Sequence, residues 1–352
     1  MIMPKKIIVA FDGTWNLPDQ TPEIDGNTST NVVKLRDAVL PNHKDGTVQK
    51  TIYITGVGTD WYDKLEGGVF GVGLSKKIKE GYSELTKSYE EGDQVYIIGF
   101  SRGAYSARSL VGMIRNVGLL TKTHLKRIDD AYNLYRNRDS SADTENAKFF
   151  RQSYSREINI HFLGVWDTVG ALGVPFKSAE RFNHQYYEFH DTELSGIVRN
   201  AYHAIAIDEH RENYVCALWS PIAKPNQVME QVWFCGAHAN VGGGYPKNTL
   251  SDIPLRWMAS KIMDCGLELD PNKIPRQPKS IPDITDSYSE FLGGTYRLLN
   301  SRFFRTIGNT QYGQECFDES VQQRVVASGT YRPKNKVDPY LSGPYRPVTK
   351  IS

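Results

Sequence analysis

The chain has 352 residues, 39% hydrophobic and 23% charged, with 42 Lys and Arg against 40 Asp and Glu. That is the composition of an ordinary globular protein with chain enough for one large or two small domains, and a net charge of +2 gives no whole-chain reason to expect nucleic acid. Four cysteines (Cys216, Cys235, Cys265 and Cys316) include no CxxC pair, which argues against a disulfide framework and a zinc ribbon.

The first apolar run, Ile7 to Phe11, is too short for a signal-peptide core, and no later stretch approaches the ~18 apolar residues of a membrane span. The expected location is therefore cytoplasmic, with leaderless export as the other route. Lys6–Asp12, Thr51–Gly56, Gln94–Phe100, Ile158–Trp166 and Gln231–Gly236 are β-branched or aromatic, and most end in Gly, Asp or Ser, as buried parallel strands do. Leu74, Ile78, Tyr82, Leu85 and Tyr89 have helical spacing. So do Ala104, Ala107, Leu110, Val111, Ile114 and Val117, closed by Gly118 as a C-cap. Ala201–Asp208 also reads as a helix.

Strands alternating with helices predict an α/β fold with a mainly parallel sheet and helices on both faces. The aromatic, His-rich text between about 170 and 200 reads as a lid-like insertion over the strand ends. From Asp270 to Pro282 prolines mark an extended crossing segment. Residues 331–352 carry five basic residues and one acid, a net +4 that leaves 1–330 at −2. The expected organisation is one α/β domain over 1–330 and a basic, Pro-rich tail wrapping its surface.

In such folds ligands sit at the carboxyl ends of the strands. Gly99-Phe-Ser101-Arg-Gly103 is a G-x-S-x-G between a strand and a helix, the setting of a nucleophile elbow. The competing reading is an ordinary turn with a Ser N-cap. A serine nucleophile needs a base and an orienting acid, in the chain order Ser, Asp or Glu, His. Asp167 ends one strand and His238 follows another, so Ser101, Asp167 and His238 are the candidate catalytic residues. Asp167 could instead cap a turn, and His238 could hold a glycine-rich loop. His161 lies within a strand, His203 and His210 fall in the apparent helix, and Asp208 is the second-choice acid. The other four histidines read as surface or lid residues.

The oxyanion needs two donors. One is the amide of Arg102; the other belongs to the loop Asp12-Gly13-Thr14-Trp15, where Gly13 permits close approach and Thr14 offers an amide and a hydroxyl. Asp12 reads as a loop tie, hydrogen-bonded to Thr14 or Asn16. An aspartyl-phosphate phosphotransferase using Asp12 is a rival reading, but the second acid such chemistry needs two residues away is missing. The glycines of 56–58 and 67–73 do not fit a dinucleotide fingerprint. Arg102 and Arg108 could receive an anionic head group or hold the elbow helix through ion pairs; Arg108 and Trp15 are the candidate substrate-binding residues.

These motifs resemble the α/β-hydrolase family of type VI secretion phospholipase effectors, nearly end to end. The resemblance is carried by Phe11-Asp-Gly-Thr-Trp-Asn16, Gly56-Val-Gly-Thr59, Gly92 to Arg108, Gly164-Val-Trp-Asp-Thr-Val-Gly170 and Val241-Gly-Gly-Gly-Tyr245. It implies a serine esterase acting on phospholipid acyl esters, with Ser101, Asp167 and His238 as its catalytic set. Asn240 stands where the family usually has Asp, and Phe317-Asp-Glu-Ser-Val321 lacks the family's common His. The expectation is an acyl-ester hydrolase needing no metal or organic cofactor. Its substrate would be a lipid or small ester, with transient membrane contact through the tail and no nucleic-acid partner. A hydrolase-fold binding protein that has lost turnover is the alternative, with Asn240 as its sequence clue.

Overall fold

The computed structural model describes residues 4–13, 29–56, 69–137, 139–170, 193–219, 224–246, 249–278, 280, 282–290, 294–308, 315–328 and 330–335. Most of the lid-like insertion and the tail from residue 336 lie outside the described residues. A seven-stranded sheet runs in the order β2-β1-β3-β6-β7-β8-β9. Its strands are β1 (Lys6–Phe11), β2 (Gln49–Ile54), β3 (Gln94–Phe100), β6 (Ile160–Trp166), β7 (Val198–Ala206), β8 (Val228–Phe234) and β9 (Glu315–Phe317). Every neighbouring pair is parallel. A separate antiparallel ribbon joins β4 (Leu119–Leu120) to β5 (Ser155–Arg156).

The strands are apolar at successive positions because helices cover both sheet faces. On one face Ile7, Val9, Val95 and Ile97 pack in a core with α2 (Val69–Ser88), α3 (Arg102–Val117), α4 (Ile128–Arg136) and α5 (Glu145–Tyr154). On the other, Ile8, Ala10, Tyr96 and Ile98 meet α1 (Asn31–Ala38) and, further along the chain, a helix over Asp252–Asp264. Each fully buried Ile or Val contributes about 1.5–3 kcal/mol, so a charge on either side of these strands would be costly. Thr30 caps α1 by accepting from the Val33 amide at 3.3 Å, and Gly118 ends α3 at φ 72°. The parallel sheet with helices on both faces is the α/β fold that the alternation of strands and helices predicts, and it is consistent with the α/β-hydrolase-like fold expected from the motifs. Among the described residues no helix is long and apolar enough to cross a membrane.

The expected helix over Ala201–Asp208 is instead strand β7, which places His203 in a strand and His210 in the loop beyond it. Alanine-rich text suggests a helix, but β7 lies between β6 and β8 with both faces covered, and small side chains suit that position. Tertiary context overrides local propensity here.

The strand ends are nearly level: Phe11 lies opposite Gly99, Phe100 opposite Trp166, and Trp166 opposite Ala204. The first turn of α3 sits against the end of β1, where a Cβ on Gly103 would lie 2.4 Å from the carbonyl oxygens of Phe11 and Asp12. Backbone cannot yield as a flexible side chain can. Gly103→Ala is therefore expected to cost about 1–3 kcal/mol of unfolding free energy in denaturant titration. Gly196→Ala, whose Cβ would meet its nearest neighbour at 3.6 Å, should change it by less than about 0.5 kcal/mol. Equal midpoints would refute the close approach.

Candidate active site

Ser101 joins β3 to α3 at φ 59° and ψ −124°, with its amide bonded to the Trp166 carbonyl at 3.1 Å. A non-glycine residue held at positive φ costs on the order of 1–3 kcal/mol and persists only where its surroundings enforce it. Gly99 and Gly103 make the turn possible, since a Cβ on Gly99 would lie 2.7 Å from the Gly103 carbonyl oxygen. Ser101 occupies the N-cap position of α3, but its side chain makes no helix-capping bond; its Oγ instead lies 2.8 Å from His238 Nε2.

His238 opens the short helix α6 (His238–Gly242), after β8, and α7 (Asp252–Asp264) follows it. Its Nδ1 lies 2.5 Å from Asp167 Oδ2. Asp167 follows β6 at φ 38° and is fully buried. An ionised carboxylate only accepts, so Nδ1 carries the proton and Nε2 is left to accept from the Ser101 hydroxyl. Burial pushes the Asp167 carboxyl up, but the Arg305 guanidinium and His238 outweigh it and hold it well below the usual carboxylate range. Burial lowers the His238 imidazole below its ordinary 6.5, with Asp167 opposing, so the ring is neutral at pH 7. Phe100, 4.6 Å from the imidazole between ring centroids, and Tyr214 at 5.0 Å hold the ring laterally.

Two ion pairs surround these three residues. Arg305 donates to both Asp167 oxygens, Nη1 to Oδ1 at 2.6 Å and Nη2 to Oδ2 at 3.0 Å. Glu209, beyond β7, takes two bonds from Arg211 at 2.8 Å and accepts the His238 amide at 3.1 Å. Burial raises the Glu209 carboxyl, but Arg211 prevails and brings it to about 2. Ser287, in α8 (Ser287–Glu290), donates to the same carboxylate. Behind Asp167, the Thr168 amide donates to His203 Nε2 at 3.2 Å; burial, followed by Arg108, pushes His203 down to about 3.

Asn240 does not face the serine. Its Oδ1 accepts the amides of Ala237 and Thr285, both at 3.1 Å, and its Nδ2 donates to Thr285 Oγ1 at 3.3 Å. It therefore ties the first turn of α6 to the segment before α8. The Asp12 carboxylate accepts from the Gly13 amide, Thr30 Oγ1 and Tyr53 Oη, each at 2.7 Å; its expected partners Thr14 and Asn16 lie outside the described residues. Burial raises the Asp12 carboxyl, with the hydrogen bonds from Tyr53, Thr30 and Gly13 opposing. With both oxygens engaged, it is a brace between β1, β2 and α1 rather than a free nucleophile.

Gly13 packs against the elbow, its hypothetical Cβ 3.0 Å from Phe100 and 3.6 Å from the Ser101 Cβ. Thr14, Trp15 and Asn16 lie outside the described residues. The Arg102 amide opens α3, among the helix N–H groups that have no intrahelical acceptor. Arg108 is buried, bonded to the Ala217 carbonyl, with its guanidinium 5.1 Å from the Trp219 ring centroid. Asp208, the second-choice acid, accepts the Gly236 amide at 2.7 Å and the Tyr331 hydroxyl at 2.9 Å. The sequence reading missed Arg305, Glu209 and Arg211. Reading β7 as a strand would have placed Glu209 at a strand end, whereas Ser301-Arg-Phe-Phe-Arg305 carries no local signal.

The family model T6SS, Phospholipase effector Tle1-like, catalytic domain, matches residues 5–261. A curated relative, the uncharacterized protein YEL023C of Saccharomyces cerevisiae, is 29% identical over 242 residues, 62% of this chain. The chain spans about a third of that relative's length, 33%. A crystal structure of an uncharacterized protein from Pseudomonas aeruginosa aligns over 85% of this chain and 51% of its own, at 16% identity and a TM-score of 0.46. From the family match, which takes in Ser101, Asp167 and His238, this chain belongs to the Tle1-like phospholipase effector family of type VI secretion, by way of its catalytic domain.

Proposed function

We propose that the protein is a serine hydrolase that cleaves acyl esters of phospholipids. The observation that carries this reading is the hydrogen-bonded chain Ser101–His238–Asp167, with the serine on a strained strand-to-helix turn. The family implies a lipid substrate. Ser101 Oγ attacks the ester carbonyl carbon as His238 Nε2 takes its proton, giving a tetrahedral oxyanion. That charge is met by the Arg102 amide at the positive end of α3, with Thr14 as the second donor of the proposed pair. Collapse expels the alcohol, protonated by His238, and leaves an acyl-Ser101. Water, deprotonated by the same imidazole, then releases the acid. Asp167 keeps the proton on Nδ1 and stabilises the imidazolium as it forms. The basic residues of 331–352 supply a counter-charge for an anionic lipid surface.

Loss of turnover is the competing reading, and Asn240 is its sequence clue. The bonds Asn240 makes are to Ala237 and Thr285, and an Asp could accept the same two amides. Asn240→Asp is accordingly expected to retain ester hydrolysis within about threefold, on the order of 0.6 kcal/mol; a large gain would mean that Asn240 marks an impaired enzyme.

A fluorophosphonate probe should label Ser101 at neutral pH, and Ser101→Ala should abolish labelling. Asp167→Asn should slow it about 10⁴-fold by favouring the wrong imidazole tautomer. Well-folded protein that does not label would refute the reading.

Because only the neutral imidazole is a base, labelling should rise with pH along a limb centred below 6.5, the direction in which burial moves His238. A midpoint above 7 would contradict it. Hydrolysis of nitrophenyl esters should vary steeply with acyl length if a lipid chain is bound; a flat profile would point to a small polar ester.

A further inference from the structure

We propose that Arg305 is a positioning residue for this site: its guanidinium fixes the Asp167 carboxylate and neutralises its charge, keeping His238 an unprotonated base. The inference rests on the reading of Ser101, His238 and Asp167 given above, and concerns a residue outside the stretch 5–261 that matches the family.

The geometry is that of a two-pronged clamp. Besides its two bonds to Asp167, Arg305 donates from Nη1 to the Ala206 carbonyl at 2.8 Å and from Nη2 to the Tyr214 carbonyl at 2.5 Å. The guanidinium is therefore anchored to the end of β7 and to the loop beyond it while it holds the acid. Its own backbone is held too: Asn335 donates to the Arg305 carbonyl at 3.0 Å, and Ile307 packs with Ile205, Ile207, Trp233 and Val321. Two parallel N–H bonds set the plane of a carboxylate as well as its position. Asp167 Oδ1 is committed to the Ala206 amide at 3.0 Å and to Nη1, which leaves Oδ2 turned to His238 Nδ1.

The charge count gives the second role. Around His238 stand Asp167, Glu209 and Arg211, with the Tyr214 ring against the imidazole and Arg305 bonded to Asp167; Tyr245 lies by Glu209 and Arg211. Facing Asp167 from behind are His203 and Cys216. Burial pushes the Cys216 thiol and the Tyr245 hydroxyl up, and His203 down, so all three are neutral at pH 7. Glu209 and Arg211 cancel through their two bonds. The remaining charges are Asp167 and Arg305. With both present the surroundings of the imidazole carry no net charge; without Arg305 they carry one buried negative charge 2.5 Å from Nδ1, which favours imidazolium. Protonated His238 cannot accept the Ser101 proton. A salt-bridged acid in this position thus sets the pH range of the base as well as its orientation.

The experiment compares wild type, Arg305→Gln and Arg305→Lys by two readouts. Fluorophosphonate labelling rates across pH report on the nucleophile, and NMR titration of the His238 ring reports on the base whether or not Ser101 reacts. Arg305→Gln should raise the His238 midpoint by about one pH unit or more and move the acid limb of labelling up with it. Arg305→Lys keeps the charge but not the fork, so its midpoint should stay near wild type while labelling slows about tenfold or more. An unchanged His238 midpoint in Arg305→Gln overturns the proposal, and so does wild-type labelling by Arg305→Lys, which decides the matter alone if Arg305→Gln does not fold. Absence of labelling in the wild type with a shifted midpoint in Arg305→Gln would refute the hydrolase reading while leaving the clamp on His238 in place.

Discussion

The buried carboxylate of Asp167 is the constraint around which the site is arranged. Taking an ionised carboxylate out of water costs several kcal/mol unless its oxygens are met by well-placed donors and a counter-charge. Three distant parts of the chain supply them: the Ala206 amide at the end of β7, Arg305 from the segment before β9, and His238 after β8. Each of those is in turn held by backbone contacts, so the carboxylate is also what draws the ends of β6, β7 and β8 into one chemical unit.

The parallel sheet makes this convergence possible. Because all neighbouring strands run the same way and their ends lie nearly level, Asp12, Ser101, Asp167, Glu209 and the His238 loop all emerge on one edge. The strained turn at Ser101 is enforced by what surrounds it: α3 is buried along most of its length, and Gly103 lets its first turn meet the end of β1. Strain of on the order of 1–3 kcal/mol is small against that packing.

A second layer has a different task. Glu209 with Arg211, and Asp167 with Arg305, form two pairs of opposite charge at His238, the first bonded to its backbone amide and the second to its Nδ1. Such pairs add little net stability when compared with apolar packing. They do hold carboxylates at fixed points, and each guanidinium offsets the charge of the carboxylate it binds. Asn240 belongs to this supporting layer, since its bonds run to the backbone of α6 and to Thr285.

Sequence alone determined the features that are local. Apolar runs marked five strands, a period of 3.6 marked α2 and α3, and G-x-S-x-G between strand and helix singled out Ser101. The ends of two further strands singled out Asp167 and His238, and the structure brings all three within hydrogen-bond reach. Reading β7 as a helix went against the structure because alanine-rich text has high helix propensity, while its pairing with β6 and β8 depends on partners far along the chain. Arg305 was out of reach for the same reason: one arginine among several, 138 residues from Asp167, has no periodicity or neighbouring motif to mark it. Repeating backbone geometry leaves a periodic trace in sequence, and a tight turn leaves a short motif. A buried charge pair is specified only by where the folded chain brings its two halves, and that was decided by tertiary structure.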